Sequence, residues 1–152
     1  MLSNNPPVEF FIEGAPVAQG RPRATGASGY IKLYDPKKSK SWKEYVLTVA
    51  RMNFSRRKKR DKPLLEGPLI MTLTFYMPRP KSLPKKVSYH VKKPDLDNLV
   101  KGVKDALSGY CYDDDKQIVE LNTKKVYAEK GSPGGVSVKI KEILVWQTAK
   151  RQ

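Results

Sequence analysis

Cysteine and histidine are nearly absent from this chain, acidic residues are scarce, and no long apolar run occurs. The single Cys111 excludes an intramolecular disulfide and a cysteine-based zinc cluster, and the single His90 excludes a histidine-rich metal site. So little sulfur chemistry suits a reducing cytoplasm. No stretch approaches the roughly 18 to 20 apolar residues of a membrane span, and the opening MLSNNPP lacks a basic start followed by an apolar run. Neither a membrane anchor nor a secretory signal is expected. The length of 152 residues is enough for one core and hardly for two, so residues 1–152 are read as a single domain.

Positive charge is what the chain has in excess. Thirty Lys and Arg stand against fifteen Asp and Glu, a formal net charge of +15. Self-repulsion on that scale costs stability and solubility requires less, so a polyanionic partner is a better reason than a merely basic surface. The acids are also unevenly placed. Asp95, Asp97, Asp105, Asp113, Asp114 and Asp115 fall in a segment whose only basic residues are Lys101 and Lys104, so 95–115 carries −4 and the remainder +19. Carboxylates within a phosphate-binding surface repel the ligand unless a cation lies between them. Asp oxygens suit Mg²⁺, which also bridges to phosphate.

Val8–Glu13 reads as a short strand, Gly14–Arg23 (GAPVAQGRPR) as a punctuated arm carrying Arg21 and Arg23, and Tyr30–Tyr34 as a second strand. Helical spacing follows. Trp42, Tyr45, Val46, Val49 and Met52 recur every three or four residues and are expected to form one buried stripe, with Ser39 or Ser41 as N-cap. The basic run Arg56–Arg60 is ordinarily a solvated loop, but on so basic a chain Arg56 and Arg57 are candidate nucleic-acid contacts. Gly67–Met77 alternates Leu69, Met71, Leu73 and Phe75 with Ile70, Thr72, Thr74 and Tyr76, as a central strand does. A Pro- and Lys-rich connector, expected to be loose, then places Lys92 and Lys93 directly before PDLDNLVK.

Leu96, Leu99, Val100, Val103, Ala106 and Leu107 share one helical face, which predicts a helix from Leu96 to Leu107 ended by Gly109. Gln117–Glu129 and Val136–Val145, joined by KGSPGG, predict a hairpin. The sum is an α/β chain of the mixed α+β kind, with a mixed sheet of four to five strands packed against two main helices.

Asp95 follows Pro94 where that helix begins, so a capping role is expected for it, with Asp97 favoured by the helix dipole. Capping does not explain the triple Asp at 113–115. A twelve-residue helix is about 18 Å long, and the five residues Ser108–Tyr112 reach about 17 Å if extended. The chain can therefore double back far enough for Asp95, Asp97 and one or two of Asp113, Asp114 and Asp115 to meet around a metal. Lys101 stands one turn from Asp97 on the same polar face, where it can reach a phosphate.

KPDLDNLVKGVKDAL followed by DDDKQIV resembles the RusA family of Holliday-junction endonucleases, and GAPVAQGRPR and YDPKKSKSWKEYV resemble its longer, phage-type members. The resemblance implies metal-binding carboxylates at Asp95, Asp97 and Asp115 with Asp114 beside them, and a catalytic or phosphate-contacting Lys101. Asn98, Asp105 and Gln117 match further motif positions. Anchoring on Gln117 selects Asp114 and Asp115, whereas a register one residue earlier selects Asp113 and Asp114. The implied activity is Mg²⁺-dependent resolution of four-way DNA junctions by paired symmetric nicks, in recombination and repair, with Mn²⁺ as a substitute metal. The implied partners are a junction and a second copy of the chain, in the cytoplasm of a bacterium and with no membrane. Arg21, Arg23, Arg56, Arg57, Lys92, Lys93 and Lys101 are the expected DNA contacts. Two rivals stand beside this reading: a non-catalytic basic nucleic-acid-binding protein, and a metal-dependent nuclease for other branched DNA.

Overall fold

The computed structural model describes residues 4–20, 23–25, 30–32 and 37–144. The elements run β1 (Val8–Glu13), β2 (Arg23–Thr25), β3 (Tyr30–Lys32), α1 (Lys37–Phe54), β4 (Leu69–Met77), α2 (Leu96–Leu107), a 3₁₀ turn (Asp115–Gln117), β5 (Ile118–Tyr127) and β6 (Gly135–Glu142). The ends of two expected strands, at 33–34 and 145, lie outside the described residues. β2 and β3 pair with each other as a separate antiparallel ribbon.

The main sheet has the order β1-β6-β4-β5, with β6 antiparallel to both neighbours and β4 parallel to β5. It is therefore a mixed sheet, as expected. β4 lies in its interior because it is the most apolar strand: Leu69, Met71, Leu73 and Phe75 are fully buried, and the residues between them are half-buried. The expected β5–β6 hairpin does not form. Residues 128–134 instead carry the chain past β4, which separates the two strands. β5 carries Glu120, Asn122, Lys124 and Lys125, a composition that suits an edge. A parallel β4–β5 pair requires a crossover, and the connector with α2 supplies it.

Both helices pack on one face of the sheet, where Val8, Ile12, Phe75, Val138 and Ile140 join Trp42 and Val46 of α1 and Leu99, Val103 and Leu107 of α2 in a single core. The buried face of α1 is Ser39, Trp42, Val46 and Ala50. This shifts the expected stripe: Val49 packs at its margin, while Tyr45 and Met52 are exposed, Tyr45 donating its hydroxyl to the Glu13 carbonyl at 2.8 Å. Counting only large apolar residues misses Ser39 and Ala50, whose small size lets the helix lie close to its neighbours. Neither Ser39 nor Ser41 caps α1, because the helix already runs from Lys37.

The connector is tied down rather than loose. Arg79 donates to the carbonyls of Ala128 and Pro84, both at 2.9 Å, and Tyr89 forms a bridge with Val126. The Lys125 ammonium then donates to the carbonyls of Lys92 at 2.6 Å and Pro94 at 2.7 Å, directly before α2. Among the described residues, no helix is long and apolar enough to cross a membrane.

Candidate active site

α2 forms with the boundaries its apolar spacing predicts, burying Leu99, Val100, Val103, Ala106 and Leu107. Asp95 holds the N-cap position in an extended conformation, but its carboxylate makes no capping hydrogen bond, so the expected side-chain cap is not used. Asp97 lies in the first turn, where its Oδ1 accepts from the Asn98 N–H at 3.0 Å.

Beyond α2 the chain reverses tightly. Gly109 adopts φ +88°, a conformation that favours glycine, and its N–H donates to the Tyr112 carbonyl at 2.7 Å. The fully buried Tyr112 in turn donates its hydroxyl to the Lys104 carbonyl at 2.7 Å, which fastens the reversal to the last turn of the helix. Tyr112→Phe is expected to lower the unfolding free energy by about 1–2 kcal/mol, read by denaturant titration.

The triple Asp then divides its work. Asp114 caps the 3₁₀ turn, accepting from the Lys116 N–H at 3.0 Å, and this backbone donor holds its carboxyl below the ordinary Asp range. Gln117 reaches back to accept from the Asp113 and Asp114 N–H groups at 2.8 and 3.0 Å, and donates to the Gly67 carbonyl at 3.0 Å. Asp115 follows, its side chain within hydrogen-bond reach of the Asp114 carboxyl. It lines a cleft of about 530 Å³ between α2 and β5 with Leu96, Asp97, Val100, Lys101 and Lys104 of α2 and with Leu121 and Thr123 of β5.

Of the expected carboxylates, Asp97 and Asp115 thus line one cleft with two lysines. Asp95, Asp113 and Asp114 are exposed and do not line the cleft. Among the described residues, no group of three or more His, Cys, Asp or Glu converges as a ready-made metal cage. Two carboxylates nonetheless fit Mg²⁺, which is commonly held by one or two of them plus substrate phosphates. Lys101 is exposed and lies 3.8 Å from Asp105, an ion pair weak enough to exchange for a phosphate.

The single cysteine and the single histidine have other duties. Burial pushes the Cys111 thiol up to about 12, so it stays protonated at neutral pH. His90 packs edge-on against Tyr127 at 4.8 Å, and burial, aided by the Lys125 charge, lowers its pKa. It is therefore neutral at pH 7.

The expected DNA contacts are dispersed. Lys92 and Lys93 are exposed just before α2, and Arg56 is exposed in the basic loop. Arg57 is engaged within the protein, donating to Pro7 O at 3.2 Å, to Asn5 Oδ1 at 3.1 Å and to Pro6 O. Arg23 lies in β2, and Arg21 is outside the described residues. Lys104 and Lys125 were not singled out from sequence. Lys104 follows Lys101 by three residues on the same helical face, a spacing that could have found it. Lys125 gives no such signal, because its partners are backbone carbonyls.

Residues 13–141 match the family model described as "Endodeoxyribonuclease RusA". The chain is 39% identical over 146 residues to "Uncharacterized protein YqaN" of Bacillus subtilis (strain 168), an alignment that covers 90% of this chain and 96% of that one. It is 29% identical over 138 residues to "Crossover junction endodeoxyribonuclease rusA" of Lactococcus phage r1t, covering 89% and 96%. With a family match along most of its length, the chain belongs to the RusA endodeoxyribonuclease family, nucleases that act on DNA.

Proposed function

We propose that the protein is a metal-dependent endonuclease that resolves four-way DNA junctions by paired nicks, in recombination and repair. The observation that carries this reading is the cleft that Asp97 and Asp115 line with Lys101 and Lys104. Asp97 and Asp115 would hold Mg²⁺, and Asp95, two residues before Asp97, would join them from the exposed start of α2. When bound, Mg²⁺ supplies an acidified water and neutralises charge at the scissile phosphate. Lys101 and Lys104 hold the phosphate from the helix side, Lys101 exchanging Asp105 for it. Asp114 and Gln117 keep the turn in shape so that Asp115 lines the cleft. The net charge of +15 draws in the DNA through salt-dependent phosphate contacts. A homodimer matches the two-fold symmetry of a junction and accounts for cuts made in pairs.

The test compares a synthetic four-way junction with linear duplex of the same sequence, with Mg²⁺ or with EDTA. Junction nicking that requires Mg²⁺ and spares the duplex is expected. Binding without cutting under every metal condition would make the protein a non-catalytic DNA binder, and equal cutting of both DNAs would make it a general nuclease.

A further inference from the structure

β5 ends the sheet on one side, and only part of its outer edge is covered. The connector covers the far end, where Tyr89 bridges Val126, the His90 N–H donates to the Lys125 carbonyl at 3.2 Å and the Tyr127 N–H donates to the Ser88 carbonyl at 2.7 Å. These bonds show which backbone groups point outward. They belong to odd-numbered residues, and groups two residues apart on a strand share a side, so the N–H and C=O of Leu121 and Thr123 also face out. Among the described residues no strand pairs with that stretch. Val119 and Leu121 beside it are 63% and 42% exposed. An uncovered stretch of edge of this kind is a template for another strand.

The charges say which strand. The register with β4 sets Glu120, Asn122 and Lys124 opposite Ile70, Thr72 and Thr74, on the face away from the helices. We propose that a second copy of the chain adds its own β5 antiparallel to this one, with the two-fold axis through Asn122. Glu120 of each copy then faces Lys124 of the other, twice per dimer. The backbone agrees with this register, since Leu121 of one copy falls opposite Thr123 of the other and both present outward N–H and C=O groups. Asn122 meets its own copy in the non-hydrogen-bonded pair on the axis. The opposite edge of the sheet is a poor candidate: a two-fold through Phe11 of β1 would set Glu9 against Glu13, and like charges directly opposite are destabilising.

This interface deepens the junction-resolving reading and rests on its homodimer. Pairing about an axis normal to the sheet leaves the helices of both copies on one side, so the two clefts open onto the same side of a continuous sheet. That is the side on which a single junction could meet both.

Residues opposite each other in a non-hydrogen-bonded antiparallel pair have Cα atoms about 4.5 Å apart, within disulfide range. Mild oxidation of Asn122→Cys is therefore expected to give a covalent dimer, while Glu120→Cys gives little, because it faces Lys124. The buried native Cys111 does not compete. In sedimentation at low salt, Glu120→Lys and Lys124→Glu each weaken the dimer by roughly tenfold, and the double variant Glu120→Lys/Lys124→Glu restores it. If the wild type sediments as a monomer at every concentration, the homodimer reading itself falls. If the wild type is a dimer but Asn122→Cys does not cross-link and the charge reversals change nothing, the β5 interface falls and the homodimer reading stands.

Discussion

Asp97→Asn is expected to slow junction cleavage by on the order of 10³-fold while junction binding stays as tight as in the wild type or becomes tighter. Asp97 is one of two carboxylates in a cleft that also holds Lys101 and Lys104. Replacing its charge with an amide of the same shape removes one of the proposed metal ligands, and also removes a negative charge from the cleft proposed to take the phosphate. The first effect lowers the rate, and the second favours DNA. A merely structural role predicts the reverse, a loss of binding together with a lower melting temperature. Asp97 accepts a hydrogen bond from the Asn98 N–H, which the amide oxygen of Asn can still accept, so folding should be little affected. Gel-shift titration with a four-way junction and single-turnover cleavage over a range of Mg²⁺ concentrations give both numbers. If Asp97→Asn cuts at a rate near that of the wild type, the site is elsewhere. Asp95→Asn asks a separate question. A similar loss of rate is expected, because the exposed N-cap carboxylate is proposed to join the metal, and a small loss would mean that Asp97 and Asp115 suffice.

The parts of this site that were legible in the sequence are those that depend on local periodicity or on charge out of place. α2 has the boundaries that its apolar spacing predicts because six apolar residues at helical intervals leave few other solutions. The acidic cluster stood out because the chain around it is so basic. What could not be read was decided by long-range pairing. β5 and β6 look like a hairpin locally, and only the need of β4 for a neighbour on each edge separates them. The tethers at Arg79 and Lys125 end on backbone carbonyls, which carry no side-chain identity to recognise. Arg57 shows the same limit: a basic residue in a basic run reads as a DNA contact until Asn5, Pro6 and Pro7 are seen to engage it. Nor could three consecutive Asp be told apart by type. Their different duties follow from where one glutamine places its amide.

That glutamine carries the second large effect. Gln117→Met is expected to reduce the cleavage rate by about 10–100-fold, with junction affinity unchanged and stability lowered by only about 1 kcal/mol. Met fills the same space but can neither accept from the N–H groups of Asp113 and Asp114 nor donate to the Gly67 carbonyl. The two N–H groups belong to exposed residues, so water can replace the lost acceptor and the fold is spared. Water does not fix a turn, however, and Asp115 then samples directions other than the cleft. Gln117→Glu separates positioning from packing. Its carboxylate still accepts from both N–H groups but cannot donate to Gly67, and it adds a fourth negative charge to a run of three. It should therefore keep a higher rate than Met at saturating Mg²⁺, because the turn is still held on one side. A positioning role further requires that both variants need more Mg²⁺ to reach half-maximal rate, since a wandering Asp115 binds the metal less well. If Gln117→Met lowers stability and rate together, with no change in Mg²⁺ requirement, the residue supports the fold alone and Asp115 is not the carboxylate that closes the site.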